Sequence, residues 1–275
     1  MGITISKVTV ANTKEIETPR RQLLARLVAD RGFVRVVDAS LELGVSEVTV
    51  RGDLSALERA GSVVRVHGGA MPVITGAESP LESSLDRDAA AKRSIAHAAA
   101  RLVTSGQAIY LDAGSTAMAL AVALVRRQDL HDLTVVTSGL TIALALEPAV
   151  PRFTVIVTGG TLRPLQHSLV SPFAAPMLDA LNLDTAFIGC NGIHPARGVT
   201  NVNLPEAEIK TRVLSRARRG VLIADATKLG RIDVAVIGAV TDFDVLVTAE
   251  GADLAHVEGL RSAGLRVELA AKVDA

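Results

Sequence analysis

The sequence predicts an α/β protein in two parts, a winged helix-turn-helix followed by an open, mostly parallel, doubly wound sheet. Three observations carry this expectation. Between residues 19 and 70, three short amphipathic stretches punctuated by glycine precede an alternating valine run. Beyond residue 85, six short apolar runs each end in a cluster of Gly, Ser, Thr or Asp, as parallel strands do when helices cover both faces of their sheet. At 275 residues the chain also exceeds most single cores, so two domains are the natural division.

Residues 1–17 read as a flexible leader. Pro19 suits the first turn of a helix, and Leu23, Leu24, Leu27 and Val28 then share one face up to Gly32. A second helix is expected from Val36 to Leu43, closed by Gly44, which accepts the left-handed backbone that L-residues avoid. Ser46 caps a third, whose Val50, Leu54 and Leu57 form a buried stripe. Gly61 stops that helix, and Val63, Val64 and Val66 alternate around Arg65 as a strand should. Residues 18–71 therefore make the winged helix-turn-helix. Residues 72–84, with Pro72, Gly76, Ser79, Pro80, Ser83 and Ser84, have linker composition.

The second domain is expected over 85–270. A helix from Ala91 to Val103 turns Ile95, Ala99 and Leu102 inward. Strands follow at residues 108–111, 133–136, 153–157, 185–188, 220–224 and 245–247. No internal repeat interrupts the pattern.

Composition narrows the class. Apolar residues make up 49% of the chain, enough for a substantial core. Basic and acidic residues balance at 29 each, without the surplus usual in nucleic-acid binders, so a DNA-binding surface here must be small and local. Cys190 is the only cysteine, which excludes an intrachain disulfide and fits a reducing compartment. The N-terminal stretch lacks an apolar export core, and the longest apolar run, Ala117 to Val125, falls far short of the roughly 20 residues that cross a bilayer. The expectation is a soluble cytoplasmic protein with no membrane partner. No metal or cofactor is expected: His194 has no second histidine at ligand spacing, and dinucleotide fingerprint, nucleophile elbow and paired carboxylates are all missing.

Two groups of residues carry chemistry. On the third helix, Ser46, Glu47, Val48, Thr49 and Arg51 are placed to face base edges in a major groove, with Arg51 best suited to guanine. Arg35, Arg65 and His67 flank them, and Arg35 and Arg65 are expected to hold phosphates and set register. In the second domain, Asp112-Ala113-Gly114-Ser115-Thr116 joins a strand to a helix start. Gly114 lets backbone N–H groups approach an anion, and Ser115 and Thr116 add hydroxyl donors. Thr137-Ser138-Gly139 and Thr158-Gly159-Gly160 repeat the arrangement. Each alone is also what a turn plus a helix cap looks like, but three in series at neighbouring strand ends describe a cradle for a phosphorylated small molecule. Asn191, Gly192 and Lys228 stand at two further strand ends, Lys228 reading equally well as a phosphate partner or a solvated lysine.

At these residues both halves resemble one family, the DeoR-type transcriptional regulators, from about Thr18 to Leu269. Its reading helix follows S-x-x-T-[IV]-R-R-D-L, matched by Ser46, Thr49, Val50, Arg51, Asp53 and Leu54. Its wing ends R-x-H-G-G-A, matched by Arg65, His67, Gly68, Gly69 and Ala70. The family's C-terminal domain is similar to ribose-5-phosphate isomerase and other sugar-phosphate folds. Its D-x-G-[ST]-T loop matches Asp112, Gly114, Ser115 and Thr116, and its glycine pair Gly159 and Gly160. Its D-x-[ST]-K stretch matches Asp225, Thr227 and Lys228, and its E-x-x-x-K matches Glu206 and Lys210, a spacing that by itself describes a helix-surface ion pair. Three departures stand out. Gly52 replaces the second arginine of the reading helix. Asn191-Gly192-Ile193-His194 replaces D-G-I-D, removing the carboxylates that isomerases of this fold use for proton transfer. Ser171 replaces a glycine before Pro172.

The resemblance implies a sequence-specific DNA-binding regulator, a repressor of a carbohydrate operon released from its operator by a phosphorylated sugar. A homodimer or homotetramer is expected, because paired half-sites add the discrimination one short helix lacks. The alternative is a sugar-phosphate isomerase-like enzyme with a helical N-terminal appendage. Asn191 speaks against it, since a carboxamide cannot act as a general base.

Overall fold

The computed structural model describes residues 19–31, 33–59, 62–66, 68–72 and 80–273. The readings placed on residues 1–17, Gly32, Gly61, His67 and most of the linker lie outside them. The chain divides into two compact units, with the boundary between residues 77 and 78.

In the first unit, α1 (Pro19–Arg31), α2 (Val36–Leu43) and α3 (Glu47–Arg59) pack beside a three-stranded sheet of β1 (Val34–Arg35), β2 (Val63–Val66) and β3 (Gly69–Pro72). β3 lies between β1 and β2 and is antiparallel to both, which makes the wing. Leu24, Val28, Ala39, Val50, Leu54 and Leu57 close the core. Gly44 adopts φ 65° after α2 and turns the chain into α3. There the Ser46 Oγ accepts the Thr49 amide at 3.2 Å as a helix cap.

Asp53 ties α3 to α1. Its carboxylate is 2% exposed and accepts Arg20 Nε at 2.6 Å and Arg21 Nε at 2.8 Å. Burial pushes its pKa up, but the two arginine hydrogen bonds outweigh this and hold it below the ordinary carboxylate value. The aspartate of the reading-helix motif therefore sets the orientation of α3 and does not face outward.

Gly52 has the opposite surroundings. It is exposed, and an added Cβ would meet nothing within 4 Å. Gly52→Ala is expected to stabilise this unit by about 0.5–1 kcal/mol, through the chain entropy that glycine loses in a helix. Urea denaturation checks the sign, and a destabilised variant would show that the outer face of α3 is not open.

The second unit opens with α4 (Leu81–Asp86), inside the stretch read as linker. Composition misled there: Leu81 is buried and its amide donates to the Leu165 carbonyl, so the segment belongs to the second core. Next come α5 (Ala89–Ala100), β4 (Ala108–Leu111), α6 (Ser115–Arg126), β5 (Leu133–Thr137), α7 (Leu140–Leu146) and β6 (Phe153–Val157). The hairpin β7 (Thr161–Arg163) and β8 (Ser168–Val170) leads to α8 (Ala174–Asp179) and β9 (Thr185–Ile188). The chain continues through β10 (Gly192–His194), β11 (Gly198–Asn201), α9 (Leu204–Arg216), β12 (Gly220–Ile223) and β13 (Ala235–Gly238). It finishes with β14 (Val245–Ala249), α10 (Leu254–Ser262) and β15 (Arg266–Ala270).

Seven strands form one parallel sheet in the order β15-β14-β12-β9-β4-β5-β6. Helices α5, α6 and α7 pack on one face, through Ile95, Ala99, Leu120, Leu124 and Ile142. Helices α8, α9 and α10 pack on the other, through Leu178, Ile209, Val213, Val257 and Leu260. The sheet is doubly wound, as the apolar runs predict. β15 and the small antiparallel sheet β10-β11-β13 are additions that the sequence reading did not foresee. Among the described residues, no helix is long and apolar enough to cross a membrane.

Candidate functional site

Strand order locates the site in the second unit. From β4 the chain winds outward through β5 and β6, and from β9 it winds the other way through β12, β14 and β15. β4 and β9 are neighbours, so their C-terminal ends flank the topological switch point, where open α/β sheets leave a crevice.

At the end of β4, Gly114 takes φ 117° and ψ 171°, a backbone shape open to glycine, and α6 begins immediately after it. The first-turn amides of Ser115, Thr116 and Ala117 have no intrahelical acceptor. Among the described residues, neither the Ser115 nor the Thr116 hydroxyl is engaged, and both side chains are half-buried. The Thr137–Gly139 loop lies against this turn: a Cβ on Gly139 would stand 3.4 Å from Ala113 Cα. Thr137 Oγ1 accepts the Gly139 amide, and Ser138 Oγ lies 2.9 Å from the buried Tyr110 hydroxyl, whose pKa burial drives upward. At the end of β6, Thr158 Oγ1 is buried without a hydrogen-bond partner among the described residues. Gly159 sits against Phe173, and Gly160, at φ 142°, packs so closely on β8 that a Cβ would lie 1.9 Å from the Val170 carbonyl oxygen.

Beneath these loops is a buried charge cluster that the sequence reading missed. Lys210 Nζ lies 2.9 Å from Asp112 Oδ2 and 3.8 Å from Glu206 Oε2. It also donates to the Gly189 carbonyl at 3.0 Å and to Asn201 Oδ1 at 3.3 Å. Glu206 in turn receives Arg163 Nη1 at 3.1 Å and Asn201 Nδ2 at 2.9 Å. Burial works against the Lys210 charge, yet the two carboxylates hold its pKa well above the ordinary lysine value. The Glu206 pKa is lowered: burial opposes that, and Lys210 and Arg163 overcome it. Asp112 is raised to about 6, chiefly by burial and against the pull of Lys210. At neutral pH all three are charged.

The surface reading of the Glu206–Lys210 spacing is thus corrected. Both residues share the inward stripe of α9 with Ile209 and Val213, at i, i+3, i+4 and i+7, and that register was the available signal. Asp112, expected among the ligand contacts, is 1% exposed, and its carboxylate accepts the Ala113 and Gly189 amides besides Lys210. It joins the ends of β4 and β9 from within. Gly192 is buried in β10, where a Cβ would lie 2.5 Å from the Arg231 carbonyl oxygen, so close backbone approach demands glycine there.

Asn191 Oδ1 accepts the Val202 amide. Lys228 Nζ stands 3.9 Å from Asp225 Oδ2, half-buried beyond β12. Burial pushes the Cys190 thiol up to about 12, so it is no nucleophile.

In the first unit, Arg35, Ser46, Val48, Arg51 and Arg65 of the expected DNA-facing residues are exposed, and Glu47 and Thr49 are half-buried. Glu47 and Arg51 pair at 2.7 Å across one turn of α3, and Ser46 Oγ and Thr49 Oγ1 share a hydrogen bond at 2.9 Å. Val48 is 76% exposed. Arg35 pairs with Asp38, and Arg65 donates to Ser55 Oγ at 2.8 Å.

Known proteins match both units. A DeoR-like helix-turn-helix domain model covers residues 20–73, and a DeoR C terminal sensor domain model covers residues 87–250. The HTH-type transcriptional regulator GolR of Listeria innocua is 35% identical over 257 residues, which span 91% of this chain and 98% of that one. GlpR of Haloferax volcanii, also an HTH-type transcriptional regulator, is 33% identical over 90% of this chain and 96% of its own. The HTH-type transcriptional repressor CsqR of Escherichia coli K12 is 30% identical over 84% of this chain and 87% of its own. Ribose 5-phosphate isomerase A of Neisseria gonorrhoeae aligns at a TM-score of 0.37 and 18% identity over 54% of each chain, a likeness too low to bear on activity. With both domain models matched in order and relatives aligned along nearly its whole length, the chain belongs to the DeoR family: it is a DNA-binding transcriptional regulator, not an enzyme.

Proposed function

We propose that this regulator represses a carbohydrate operon and is released from DNA by a phosphorylated sugar bound at the switch point of its sheet. One observation carries the effector reading. The unpaired amides at the start of α6 and the unengaged Ser115 and Thr116 hydroxyls form one anion-facing turn beside the crevice between β4 and β9. In this reading Gly114, Ser115 and Thr116 take the phosphate. Thr137, Ser138, Gly159, Gly160, Asn191 and Lys228 line the remaining strand ends, while Asp112 and Gly192 shape the loops without touching ligand. The isomerase alternative has nothing comparable in its favour, because Asn191 offers no base.

In the first unit, residues 46–49 and Arg51 face base edges, and Arg35, Arg65 and His67 hold the backbone. The protein works in the cytoplasm as a homodimer or homotetramer, presenting paired reading helices to paired half-sites. Residues 18–71 are the reading domain, and the sensing domain expected over 85–270 begins earlier, with α4 at Leu81.

A thermal-shift screen against phosphorylated sugars tests the effector. Stabilisation follows the logarithm of ligand concentration over Kd, so the effector class emerges as a dose-dependent rise in Tm. Thr116→Ala is expected to abolish that rise and leave operator binding unchanged. A rise that persists in the variant, or one given equally by unphosphorylated sugars, contradicts the placement.

A further inference from the structure

The outward face of α3 carries a specific combination. Glu47, Val48, Arg51, Gly52 and Ser55 fall at i, i+1, i+4, i+5 and i+8, opposite the buried Val50, Asp53, Leu54 and Leu57. Glu47 and Arg51 side chains are 41% and 56% exposed and joined at 2.7 Å. Such an exposed pair contributes little to stability, so its hydrogen-bonding capacity is available to a partner. Val48 presents an apolar surface, and bare backbone at Gly52 lies one turn further along the same face.

We propose that these residues set the operator preference: Arg51 takes a guanine, Glu47 takes the amino group of a neighbouring cytosine, and Val48 meets the methyl of a flanking thymine. This rests on the reading of α3 as the helix that enters the major groove. Guanine offers O6 and N7 to the guanidinium fork, which keeps a further donor for Glu47. The second carboxylate oxygen then requires a donor. On its own edge cytosine supplies the N4 donor with only C5–H beside it, whereas adenine places N7 next to its amino group and thymine offers only O4. A carboxylate facing either acceptor without a donor is penalised, so Glu47 selects by exclusion as well as by attraction. The four residues from Glu47 to Arg51 advance about 6 Å along the helix, under two base steps of about 3.4 Å, and the two side chains, converging in their ion pair, reach adjacent pairs. The preferred half-site therefore holds two adjacent G·C pairs next to an A·T pair.

Selection of the full-length protein against randomised duplexes tests this. The enriched motif is expected to contain that trio. Glu47→Gln, whose amide pairs with adenine N6 and N7, is expected to lower the preference for cytosine over adenine at one position about tenfold. Replacing the flanking thymine by deoxyuridine removes one methyl and is expected to weaken the parent about fourfold but a Val48→Ala variant hardly at all. Both side chains are exposed and outside the core, and circular dichroism verifies the fold of each variant. An enriched motif lacking adjacent G·C pairs, or a Glu47→Gln variant with the parent's preference, overturns the assignment and leaves the regulator reading intact. Failure to enrich any duplex overturns α3 as a reading helix as well.

Discussion

Lys210→Met is expected to destabilise the second unit by about 3–5 kcal/mol, the largest effect of any single substitution considered. The change nearly conserves side-chain length, so packing survives while the cation disappears. Asp112 and Glu206 are then left buried, with Arg163 as the cation and Asn201 as the neutral donor on the Glu206 side. The cost is that of two carboxylates without their shared partner. Urea denaturation monitored at the second unit measures it, and a loss below about 1 kcal/mol would place Lys210 in water.

The pH dependence separates charge from packing. In the parent, Asp112 is raised to about 6, so its contribution to stability is fully present below its ordinary value of 3.8 and is lost as pH rises through about 6. Glu206 is lowered, so its contribution is present above its ordinary value of 4.5 and is lost as pH falls through the folded value. Without Lys210 both carboxylates shift upward, and protonation relieves them. The variant's deficit should therefore be greatest at neutral pH and shrink on acidification towards pH 5. A deficit independent of pH would assign the loss to packing.

The second large effect concerns the reading unit. Asp53→Asn is expected to destabilise it by about 2 kcal/mol, less than a fully buried pair because Arg20 and Arg21 side chains are 39% and 22% exposed. Asparagine keeps the shape and one acceptor oxygen but loses the charge and replaces the other oxygen by an N–H donor, so two adjacent guanidinium groups lose their shared counter-charge. Because Asp53 is lowered in the folded state, its stabilisation is present above the ordinary value of 3.8 and is lost as pH falls through the folded value. Parent and variant should thus converge in acid. Operator affinity should fall with the anchoring of α3 even though Asp53 faces inward, and a variant of parental stability at pH 7 would contradict the clamp.

Local chemistry made much of this legible in the sequence. Gly44 and Ser46 punctuate α2 and α3 because a left-handed turn and a side-chain cap are decided within a few residues. The strand-end loops were legible because buried parallel strands run apolar until they stop. The small sheet was not: β11 and β13 are four residues each and pair across more than thirty residues of chain, so no local pattern marks them. The charge cluster was hidden for another reason. A Glu and a Lys at i, i+4 look the same on a wet face as on a buried one, and only the position of Asp112 and Gly189 in space distinguishes the two. Pro80 and the serines beside it read as linker because composition does not register a single buried Leu81.

The central claim is that α3 reads DNA and that a phosphorylated sugar at the start of α6 weakens its hold. Fluorescence anisotropy of a selected duplex, titrated with the full-length protein at fixed salt with and without the sugar phosphate found by thermal shift, measures both at once. Sequence-specific binding is expected to weaken about 5- to 150-fold when the sugar phosphate is present, with Thr116→Ala binding equally in either condition. Equal affinity for unrelated duplexes, or an unchanged Kd at saturating sugar phosphate, would contradict it.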